Sequence, residues 1–508
     1  MASAALPRSA AGNRNPWLIA VILSIATFMQ VLDTTIANVA LYHIAGGLGA
    51  SQDEATWVIT SYLVASGIIL PVSGWLATAI GRKRFYMTCV ALFTISSVCC
   101  ALSTSLAAMV LARVAQGASG GGMAPVEQSI FADTFPIEKR AQAFALYGLT
   151  IVAAPAIGPV LGGWLTDTFS WHWVFLINVP VCLLSLTLVH FFVDEPPAVR
   201  EDRRRLLAGG LRIDGIGFAL VVLGFGTLQI VLDRFQREDG FSSPFIVTGA
   251  AVAIVSIVGL VIREIASPRP VVNVRLFRAR AFAVSNLVMF LVGFMLIGTT
   301  QLLPQLAQDL LGYDAFTAGL TLGVGGLVTL VAMPLAGIIA SKLVQPKWLI
   351  MISLIGTGWS LVAASHLNLD IAFWNISLAR ILQVVWLPFL FVPLSAVSYV
   401  GVPPDQNNDA SAIFNLSRNL GGAFGVTFVT TLLQWRTQFH HARLAEHITP
   451  YNGYGWGTPL APIARVVQAQ AAVMSYLDIF WVLGMMALVV WPVVLLLPRM
   501  PRRVAATA

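Results

Sequence analysis

The stretch PWLIAVILSIATFMQVLDTTIANVAL, residues 16–41, is apolar enough to cross a bilayer, yet it contains one acidic residue. An apolar helix of about 20 residues spans the hydrocarbon core of a membrane. A carboxylate at that depth is costly unless it is paired or functional, so Asp33 is a candidate functional residue. Thr34, Thr35 and Asn38 add polar groups beside it.

The composition of the whole chain indicates an all-α integral membrane protein. Of its 508 residues, 57% are hydrophobic and 10% are charged, whereas soluble domains carry about 25% charged residues. We therefore predict fourteen transmembrane helices from the apolar windows of the chain, which are 16–40, 55–76, 85–103, 107–130, 141–165, 172–193, 214–233, 244–265, 281–303, 315–341, 348–366, 371–399, 410–435 and 475–497.

The positions of the lysines and arginines support this count and indicate the orientation. With a cytoplasmic N-terminus, 22 of the 30 basic residues fall in inner segments and five in outer loops. Because cytoplasmic loops are enriched in lysine and arginine, we expect both termini on the cytoplasmic side. The net charge of +7 is spread over these short loops, so we expect no nucleic-acid partner.

Two charged segments divide the predicted spans into groups of six, two and six. The predicted units are an N-terminal six-helix half at 1–193, a cytoplasmic linker at 194–213, two extra helices at 214–265, a second linker at 266–280, and a C-terminal six-helix half at 281–508 with an outer loop at 436–474. Arg113-x-x-Gln116 in span four recurs as Arg380-x-x-Gln383 in span twelve, which indicates parallel repeats. Span nine echoes span one without its acidic residue, so the halves are chemically unequal.

Asp33 and Arg113 are predicted to lie at the same depth. Asp33 lies near the outer end of span one, and Arg113 lies near the outer start of span four. A nearby arginine favours the ionised carboxylate while burial favours the neutral acid, so movement of the arginine or entry of water would switch the proton on or off. The alternative is a permanent ion pair that holds the two spans together.

Polar residues on several spans predict a substrate cavity between the two halves. Residues 113, 116, 117, 120, 124 and 127 share one face of an ideal helix. The residues assigned to this cavity are Asn38, Gln116, Glu127, Arg380, Gln383, Arg418 and Asn419. A solvated position in the inner vestibule is the alternative for Glu127, and helix packing explains Arg418 and Asn419 equally well.

Span five contains a motif of small and helix-breaking residues. Its members are Pro155, Gly158, Pro159, Gly162 and Gly163. Small residues spaced four apart allow a neighbouring helix to approach closely. We expect a kinked, closely packed helix, which either sets gating or serves packing alone.

The turn after span two, GWLATAIGRKR at 74–84, combines glycines with positive charge. Gly74 and Gly81 bound a short segment that ends with Arg82 and Arg84 at the inner face. This pattern predicts a tight cytoplasmic turn. Simple anchoring by inside positive charge is the alternative.

Several chemical classes lack support in the sequence. The chain has no phosphate-binding GxxxxGK[ST] motif, no metal-ligand cluster and no nucleophile with a matching base. We therefore expect neither an enzyme nor ATP-driven transport by this chain alone. No cofactor is predicted, and the proton gradient is the expected source of energy.

These motifs, in this order, resemble the major facilitator superfamily and its fourteen-span drug:proton antiporters of the EmrB/QacA type. LDTTIANVAL at 32–41 resembles the first-span signature, RVAQG at 113–117 the fourth-span motif, and PAIGPVLGG at 155–163 the antiporter motif. Three further segments resemble the EmrB branch in particular: WHWVFLINVP at 171–180, LLPQLAQDLLGY at 302–313 and HHARLAEHITP at 440–450.

The resemblance implies a major facilitator fold and proton-coupled efflux of amphipathic or aromatic drugs and toxic compounds across the inner membrane. It implies proton coupling by Asp33 and Arg113, and a periplasmic adaptor and an outer-membrane channel as partners. The loop motif departs from the family pattern, because Thr78 and Ala79 stand where Asp and Arg are usual. The alternatives are export of one endogenous metabolite, or a non-transporting membrane receptor or platform that uses the outer loop.

Overall fold

The structure is a computed structural model that describes residues 15–195, 214–267, 270–313, 315–368, 372–448 and 460–498. The described residues are helical with short turns and contain no strand, which confirms the all-helical class. Their α-helices, numbered along the chain, are α1 (Pro16–Val39), α2 (Leu41–Leu48), α3 (Gln52–Ala55), α4 (Trp57–Ile80), α5 (Arg82–Ala101), α6 (Leu106–Gly120), α7 (Met123–Thr134), α8 (Ile137–Thr168), α9 (His172–Leu176), α10 (Asn178–Phe192), α11 (Gly215–Val221), α12 (Thr227–Arg234), α13 (Pro244–Ala266), α14 (Arg280–Leu311), α15 (Ala315–Lys342), α16 (Pro346–Ala364), α17 (Phe373–Val384), α18 (Leu387–Ser398), α19 (Asn407–Glu446) and α20 (Leu460–Val490).

The helices long and apolar enough to cross a membrane number eleven in the described part of the chain, or twelve with the bent α8. Length and hydropathy therefore do not confirm the predicted fourteen spans in a 6 + 2 + 6 order. Two helical segments miss this test: α6 with α7, where the chain breaks at Gly121 and Gly122, and α19. Polar residues that pack inside the bundle, such as Arg113 on α6 and Asn408 on α19, lower the hydropathy of these segments.

Basic residues lie at the end of the bundle at which α1 begins. We call the end at which α1 begins the basic end and the opposite end the far end. Arg82 and Lys83, at the start of α5, line a small recess at the basic end together with Ile19 of α1. The N-terminal residues 1–14, most of the predicted linker 194–213 and the C-terminal residues 499–508 lie outside the described residues.

Glycines bring helix backbones into direct contact at two crossings. A Cβ added at Gly421 of α19 would lie 1.9 Å from the carbonyl oxygen of Phe290 on α14. One added at Gly117 of α6 would lie 2.3 Å from the carbonyl oxygen of Tyr62 on α4. Because no side chain fits between these backbones, the small residues on α6 and α19 determine how closely their partners pack.

Of the extra helices α11 to α13, α11 packs against α4, and α12 packs against both α4 and α19. A π-helical turn, Val222–Gly226, joins α11 to α12. Near the far end, Thr60 of α4 donates a hydrogen bond to Asp233 of α12, and Thr427 of α19 donates to the Leu232 carbonyl oxygen at 2.8 Å. The extra pair therefore lies across the seam between the N-terminal and C-terminal helices.

Much of the predicted outer loop 436–474 is helical. α19 continues to Glu446 and α20 begins at Leu460, while residues 449–459 lie outside the described residues. Asp478 of α20 accepts hydrogen bonds from Arg436 at 2.6 Å and pairs with His440 at 2.7 Å. These contacts extend the packing of α19 and α20 into the predicted loop.

Candidate functional site

Asp33 and Arg113 form a buried ion pair between α1 and α6. Arg113 Nη1 donates to Asp33 Oδ2 at 2.7 Å, and each residue is 1% exposed. Arg113 Nε also donates to the carbonyl oxygen of Val58 on α4 at 2.9 Å. The two side chains meet at one depth, as their positions in spans one and four predict. Since an unpaired charge here is costly, the pair holds three helices together.

Two amide side chains complete the hydrogen bonding of Asp33. Its Oδ1 accepts from Gln116 Nε2 at 3.0 Å and from Asn178 Nδ2 at 2.6 Å. Both amides also donate to Ser97 Oγ of α5. The side chains that contact the Asp33 carboxylate are all hydrogen-bond donors. A proton on Asp33 would therefore remove the negative charge and one of the acceptor positions that these donors use. Sequence reasoning missed Asn178, although it is a polar residue in an apolar span.

Aromatic rings enclose the arginine of this pair. The guanidinium carbon of Arg113 lies 4.4 Å from the centroid of the Tyr62 ring and 5.7 Å from that of Phe175. The Tyr62 hydroxyl accepts a hydrogen bond from Gln30 Nε2 at 2.9 Å. Contacts of this kind stabilise a cation in a site that excludes water.

The span-five motif lies directly against the helix that carries Asp33. A Cβ at Gly158 would lie 2.7 Å from the Thr35 side chain, and one at Gly162 would lie 3.1 Å from the Ile36 side chain. Gly163 differs, because a Cβ there meets nothing within 4 Å. Two of the three motif glycines therefore allow α8 to approach α1 beside the ion pair.

The same motif bends α8 and contacts the C-terminal helices. α8 bends by 41° between Pro155 and Ile157. On α15, a Cβ at Gly319 would lie 3.3 Å from Pro159. The motif thus lies between the helix of Asp33 and a helix of the other half, where a change in bend would move the two relative to each other. Its role in gating stays a prediction.

The repeated Arg-x-x-Gln motif forms a related site without an acid in the C-terminal helices. Arg380 Nη1 donates to Gln383 Oε1 at 3.1 Å, and its Nη2 donates to Thr300 Oγ1 at 3.0 Å. Gln383 Nε2 donates to Thr299 Oγ1 at 2.5 Å. Threonine hydroxyls of α14 therefore stand where Asp33 stands in the N-terminal half. The chemical inequality expected from the sequence is present.

Glu127 is buried among the N-terminal helices and is not solvated in this structure, and it does not line the cavity near the far end described below. It is 0% exposed, and its Oε1 accepts from Ser24 Oγ of α1 at 2.6 Å. It lies on α7, beyond the break at Gly121 and Gly122, whereas Arg113 lies on α6, and both side chains contact α1. The polar stripe of span four therefore meets α1.

The other predicted cavity residues lie in separate places. Asn38 is exposed near the far end of α1. Arg418 Nη1 donates to the Tyr147 hydroxyl of α8 at 3.3 Å, so it spans the two halves. Asn419 is half-buried beside it. Hydrogen bonds thus group these residues into separate clusters around α6, α17 and α19.

Amide side chains join the two halves deep in the bundle. Asn415 Nδ2 of α19 donates to Gln128 Oε1 of α7 at 2.8 Å, and its Oδ1 accepts from the Tyr147 hydroxyl at 3.0 Å. These three residues lie on three helices from both halves. They close the bundle between the ion pair and the basic end.

A second amide cluster closes the basic end. Asn408 Nδ2 donates to Thr78 Oγ1 of α4 at 2.9 Å, and its Oδ1 accepts from Ser129 of α7. Asn407 Nδ2 donates to Asp133 Oδ1 at 2.7 Å. Thr78 replaces the usual acid of the loop motif, yet it keeps a hydrogen bond to α19. We call this cluster the latch; in it the Thr78 hydroxyl takes the place of the usual acid, and Asp133 is the acidic member.

The loop-motif glycines and arginines lie around this latch. A Cβ at Gly74 would lie 2.9 Å from a backbone carbonyl oxygen of α19, and Gly81 has a φ of +99° in the turn before α5. Arg82 pairs with Asp133, whereas Arg84 is exposed. The predicted tight turn is present, and only its first arginine contacts the latch.

We expect Asn408→Ala to open the basic end. The substitution removes two hydrogen bonds between the halves, each of which contributes about 0.5–1.5 kcal/mol, so the balance between closed and open forms should shift about tenfold. Distances between spin labels at the start of α5 and the end of α18, both at the basic end, report this shift when they are measured by double electron–electron resonance in detergent.

Asn286→Ala is the matched control. Asn286 is equally buried, but its amide donates to the Phe282 carbonyl oxygen of its own helix and its oxygen accepts from Ser417, all within the C-terminal half. It should leave the distance distribution unchanged. Equal shifts in both variants would contradict a latch at Asn408.

The described residues contain no group of three or more potential metal ligands. A cavity of about 600 Å³ lies near the far end. Its lining is rich in glutamine and includes Gln236, Gln301, Gln305, Gln434, Gln438 and Gln468. None of the residues assigned to the substrate cavity lines it, and its Gln236 comes from the segment between the extra helices.

Comparison with known proteins places these features in a family context. Residues 23–426 match the family model of the Major Facilitator Superfamily. The chain is 36% identical to the multidrug export protein EmrB of Haemophilus influenzae, over 93% of this chain and 95% of that protein. It is 35% identical to EmrB of Escherichia coli K12, over 91% and 92% of the two chains.

A solved structure with a similar fold is the human organic anion transporter MFSD10. It matches with a TM-score of 0.61 at 15% identity, over 94% of this chain and 100% of that one. At this identity the likeness concerns the fold alone. The ion pair, the bent α8 and the latch all lie within the residues that match the family model.

Proposed function

Because the chain belongs to the EmrB-type family of the major facilitator superfamily, whose members are transporters and not enzymes, we propose that it exports amphipathic or aromatic compounds in exchange for protons. The names of its EmrB relatives support multidrug export. One structural observation carries the proton part of the proposal. Asp33 is a carboxylate held by an arginine and two amides in an apolar interior, with α8 and its bend beside it.

The proposed cycle uses this pair as its proton switch. A proton that reaches Asp33 neutralises the carboxylate and weakens its attraction to Arg113, which is strong in a site of low dielectric constant. α1 and α6 can then separate, and α8 transmits the movement to α15 through Pro159. Release of the proton restores the pair. Substrate moves in the direction opposite to the proton, as the basic end and the far end of the bundle close in turn.

We also propose that the chain spans the inner membrane fourteen times with both termini in the cytoplasm. α6 with α7, and α19, would join the twelve apolar spans. The burial of their polar residues against other helices supports this, because such residues are tolerated in a membrane when they face the bundle. A periplasmic adaptor and an outer-membrane channel, implied by the resemblance of residues 440–450, would complete the export route.

Transport of ethidium by the purified protein in proteoliposomes tests the proposal. We expect ethidium movement to require an imposed pH gradient and to stop when nigericin with valinomycin removes it. Anilinonaphthalene sulfonate, an aromatic anion, tests the breadth of substrates in the same assay. Empty liposomes give the background rate.

Two results would contradict the proposal in different ways. Ethidium transport that continues at full rate without a gradient would rule out proton coupling. Failure to move either probe, with correctly folded protein in the liposomes, would rule out broad export and favour a dedicated metabolite exporter or a non-transporting protein.

A further inference from the structure

The cavity near the far end has no role in the cycle described above. Its volume of about 600 Å³ lies within the range of about 300–1,000 Å³ that is typical of small-molecule sites. Lining residues such as Gln434 and Gln468 are exposed, so the cavity is open to its surroundings. It is therefore large enough for a drug-sized molecule and accessible to one.

One face of α19 forms a long polar wall of this cavity. Thr430, Gln434, Thr437, Gln438 and His441 all line it. Their spacings follow the helical repeat of three and four residues, so they lie on one side of the helix. From Thr430 to His441 this stripe extends about 17 Å along the axis of α19. The length of the stripe matches a ligand that contacts several of these side chains at once.

Two other helices of the C-terminal half complete this part of the lining. Gln301 and Gln305 of α14 are four residues apart, so they share one helix face, and both line the cavity. Gln468 of α20 lines it as well. Three helices thus direct glutamine side chains toward one space.

The extra helices supply another wall through Gln236, which lies in the turn after α12. The neighbours of Gln236 hold this turn against the start of α4. The guanidinium carbon of Arg234 lies 4.3 Å from the centroid of the Trp57 ring, and Arg237 Nη1 donates to Thr56 Oγ1 at 2.6 Å. The turn is therefore fixed, and the extra pair contributes a positioned amide to a cavity that C-terminal helices otherwise form.

The six glutamine amides of the lining make no hydrogen bond to another residue in the described part of the chain. Glutamines elsewhere in the bundle differ, since Gln116, Gln128 and Gln383 all bond to side chains on other helices. Each free amide offers one carbonyl acceptor and two N–H donors. The hydrogen-bonding capacity of these six side chains is thus available to a ligand.

The lining also limits the charge of that ligand. Among the described residues that line the cavity there is no lysine, arginine, aspartate or glutamate. A permanently charged compound would find no counter-ion there, whereas hydroxyl, carbonyl and N–H groups would find partners of both kinds. Leu433 adds an apolar contact to the same wall. The chemistry of the lining therefore favours an uncharged, amphipathic ligand.

We propose that this cavity is a binding site for uncharged aromatic compounds that carry several hydroxyl or amide groups, and that Gln236 of the extra helices forms part of it. The inference rests on the proposed export function, because it names a class of exported compound and a site near its point of release. A site built to hydrogen-bond such groups discriminates against analogues that lack them. The extra pair of helices thereby takes part in substrate selection.

Binding of radiolabelled chloramphenicol to the purified full chain in lipid nanodiscs tests the proposal. Chloramphenicol is an uncharged aromatic compound with two hydroxyls and an amide. We expect saturable binding by the wild type. Gln434→Leu and Gln236→Leu each remove hydrogen-bonding groups from the lining, so each should weaken binding about threefold or more. Combining Gln434→Leu with Gln468→Leu should weaken it at least about fivefold.

Gln470→Leu is the matched control for Gln468→Leu. Both glutamines are exposed residues of α20, but only Gln468 lines the cavity. The two positions differ by about 200° around the helix axis, so they lie on different faces. Gln470→Leu should bind chloramphenicol within about twofold of the wild type, whereas Gln468→Leu should bind it about threefold more weakly. Equal losses in the two variants would contradict a site in this cavity.

Tetraphenylphosphonium tests the class of ligand. This compound is also aromatic, but it is a permanent cation without hydroxyl or amide groups. Gln434→Leu should therefore weaken binding of chloramphenicol more than binding of tetraphenylphosphonium. Equal weakening of both ligands would overturn the assignment to uncharged, hydrogen-bonding compounds.

The outcomes separate failure of this site from failure of the antiport, because binding in nanodiscs needs no proton gradient. Absence of saturable chloramphenicol binding by the wild type would leave the cavity to water and overturn the inference. Binding that all the glutamine variants retain would place the ligand elsewhere in the bundle and also overturn it. Ethidium transport that ignores the pH gradient, with chloramphenicol binding that depends on Gln434 and Gln468, would overturn the antiport and leave the site standing.

Discussion

Asp33→Asn is expected to reduce proton-driven ethidium transport to the rate of empty liposomes. Asparagine has nearly the same size as aspartate and its oxygen still accepts hydrogen bonds from Gln116 and Asn178, but it cannot carry the proton. The substitution also leaves Arg113 buried without its counter-ion, which should destabilise the protein by about 3–5 kcal/mol. The measurement is the driven rate at equal amounts of reconstituted protein, together with the melting temperature.

A double variant separates proton coupling from a purely structural ion pair. Asp33→Asn with Arg113→Gln removes both charges, so it leaves no lone charge in the interior. We expect it to recover most of the lost stability, because a neutral buried pair often costs little relative to an ion pair. Driven transport should stay absent. If transport returns with stability, Asp33 only holds α1 to α6, and the coupling group lies elsewhere.

Depth along the predicted spans was enough to bring Asp33 and Arg113 together. Their distance from the membrane surface follows from the orientation of two antiparallel spans, which the basic residues indicate. Gln116 follows Arg113 by three residues, so it came to the same site. Asn178 was not predicted to lie in this site. It is on α10, and a single sequence gives the depth of a residue in the membrane but not which helices are neighbours.

Glu127 shows the same limit for helix faces. The spacing puts Glu127 on the face of Arg113 only in one continuous helix, and the structure divides this span at Gly121 and Gly122. The structure turns the face toward α1 and leaves Gln128 and Ser129 to contact α19. A predicted cavity residue thus became a buried acid, and residues without a predicted role became the contacts between the halves.

The latch shows why a motif departure need not remove a contact. In the sequence, Thr78 stands where the loop motif usually has an acid. A hydroxyl still accepts a hydrogen bond, and Asn408 of α19 supplies the donor. Asn408 lies 330 positions from Thr78 in the chain. A hydrogen bond between residues so far apart in sequence is visible only once the helices are packed.

Gly421→Ala is expected to prevent correct assembly of the C-terminal helices. The added Cβ would lie 1.9 Å from the carbonyl oxygen of Phe290, and backbone atoms cannot move aside as a flexible side chain can. α14 and α19 would have to separate along a crossing that Gly293 and Gly425 also keep close, with Cβ distances of 2.2 Å to the opposite backbone. Overpacking typically costs about 1–3 kcal/mol, and a clash with backbone atoms puts this variant at the upper end of that range. The melting temperature and the yield of monodisperse protein measure the effect.

Gly163→Ala is the matched control, and it separates a steric effect from the general effect of replacing glycine in a helix. Gly163 lies in α8 within the span-five motif, yet a Cβ there meets nothing within 4 Å. Alanine is the better helix former by about 1 kcal/mol, so this variant should melt at or slightly above the wild-type temperature. Gly421→Ala should fall well below it. Similar melting temperatures for the two variants would mean that α14 and α19 are not in backbone contact.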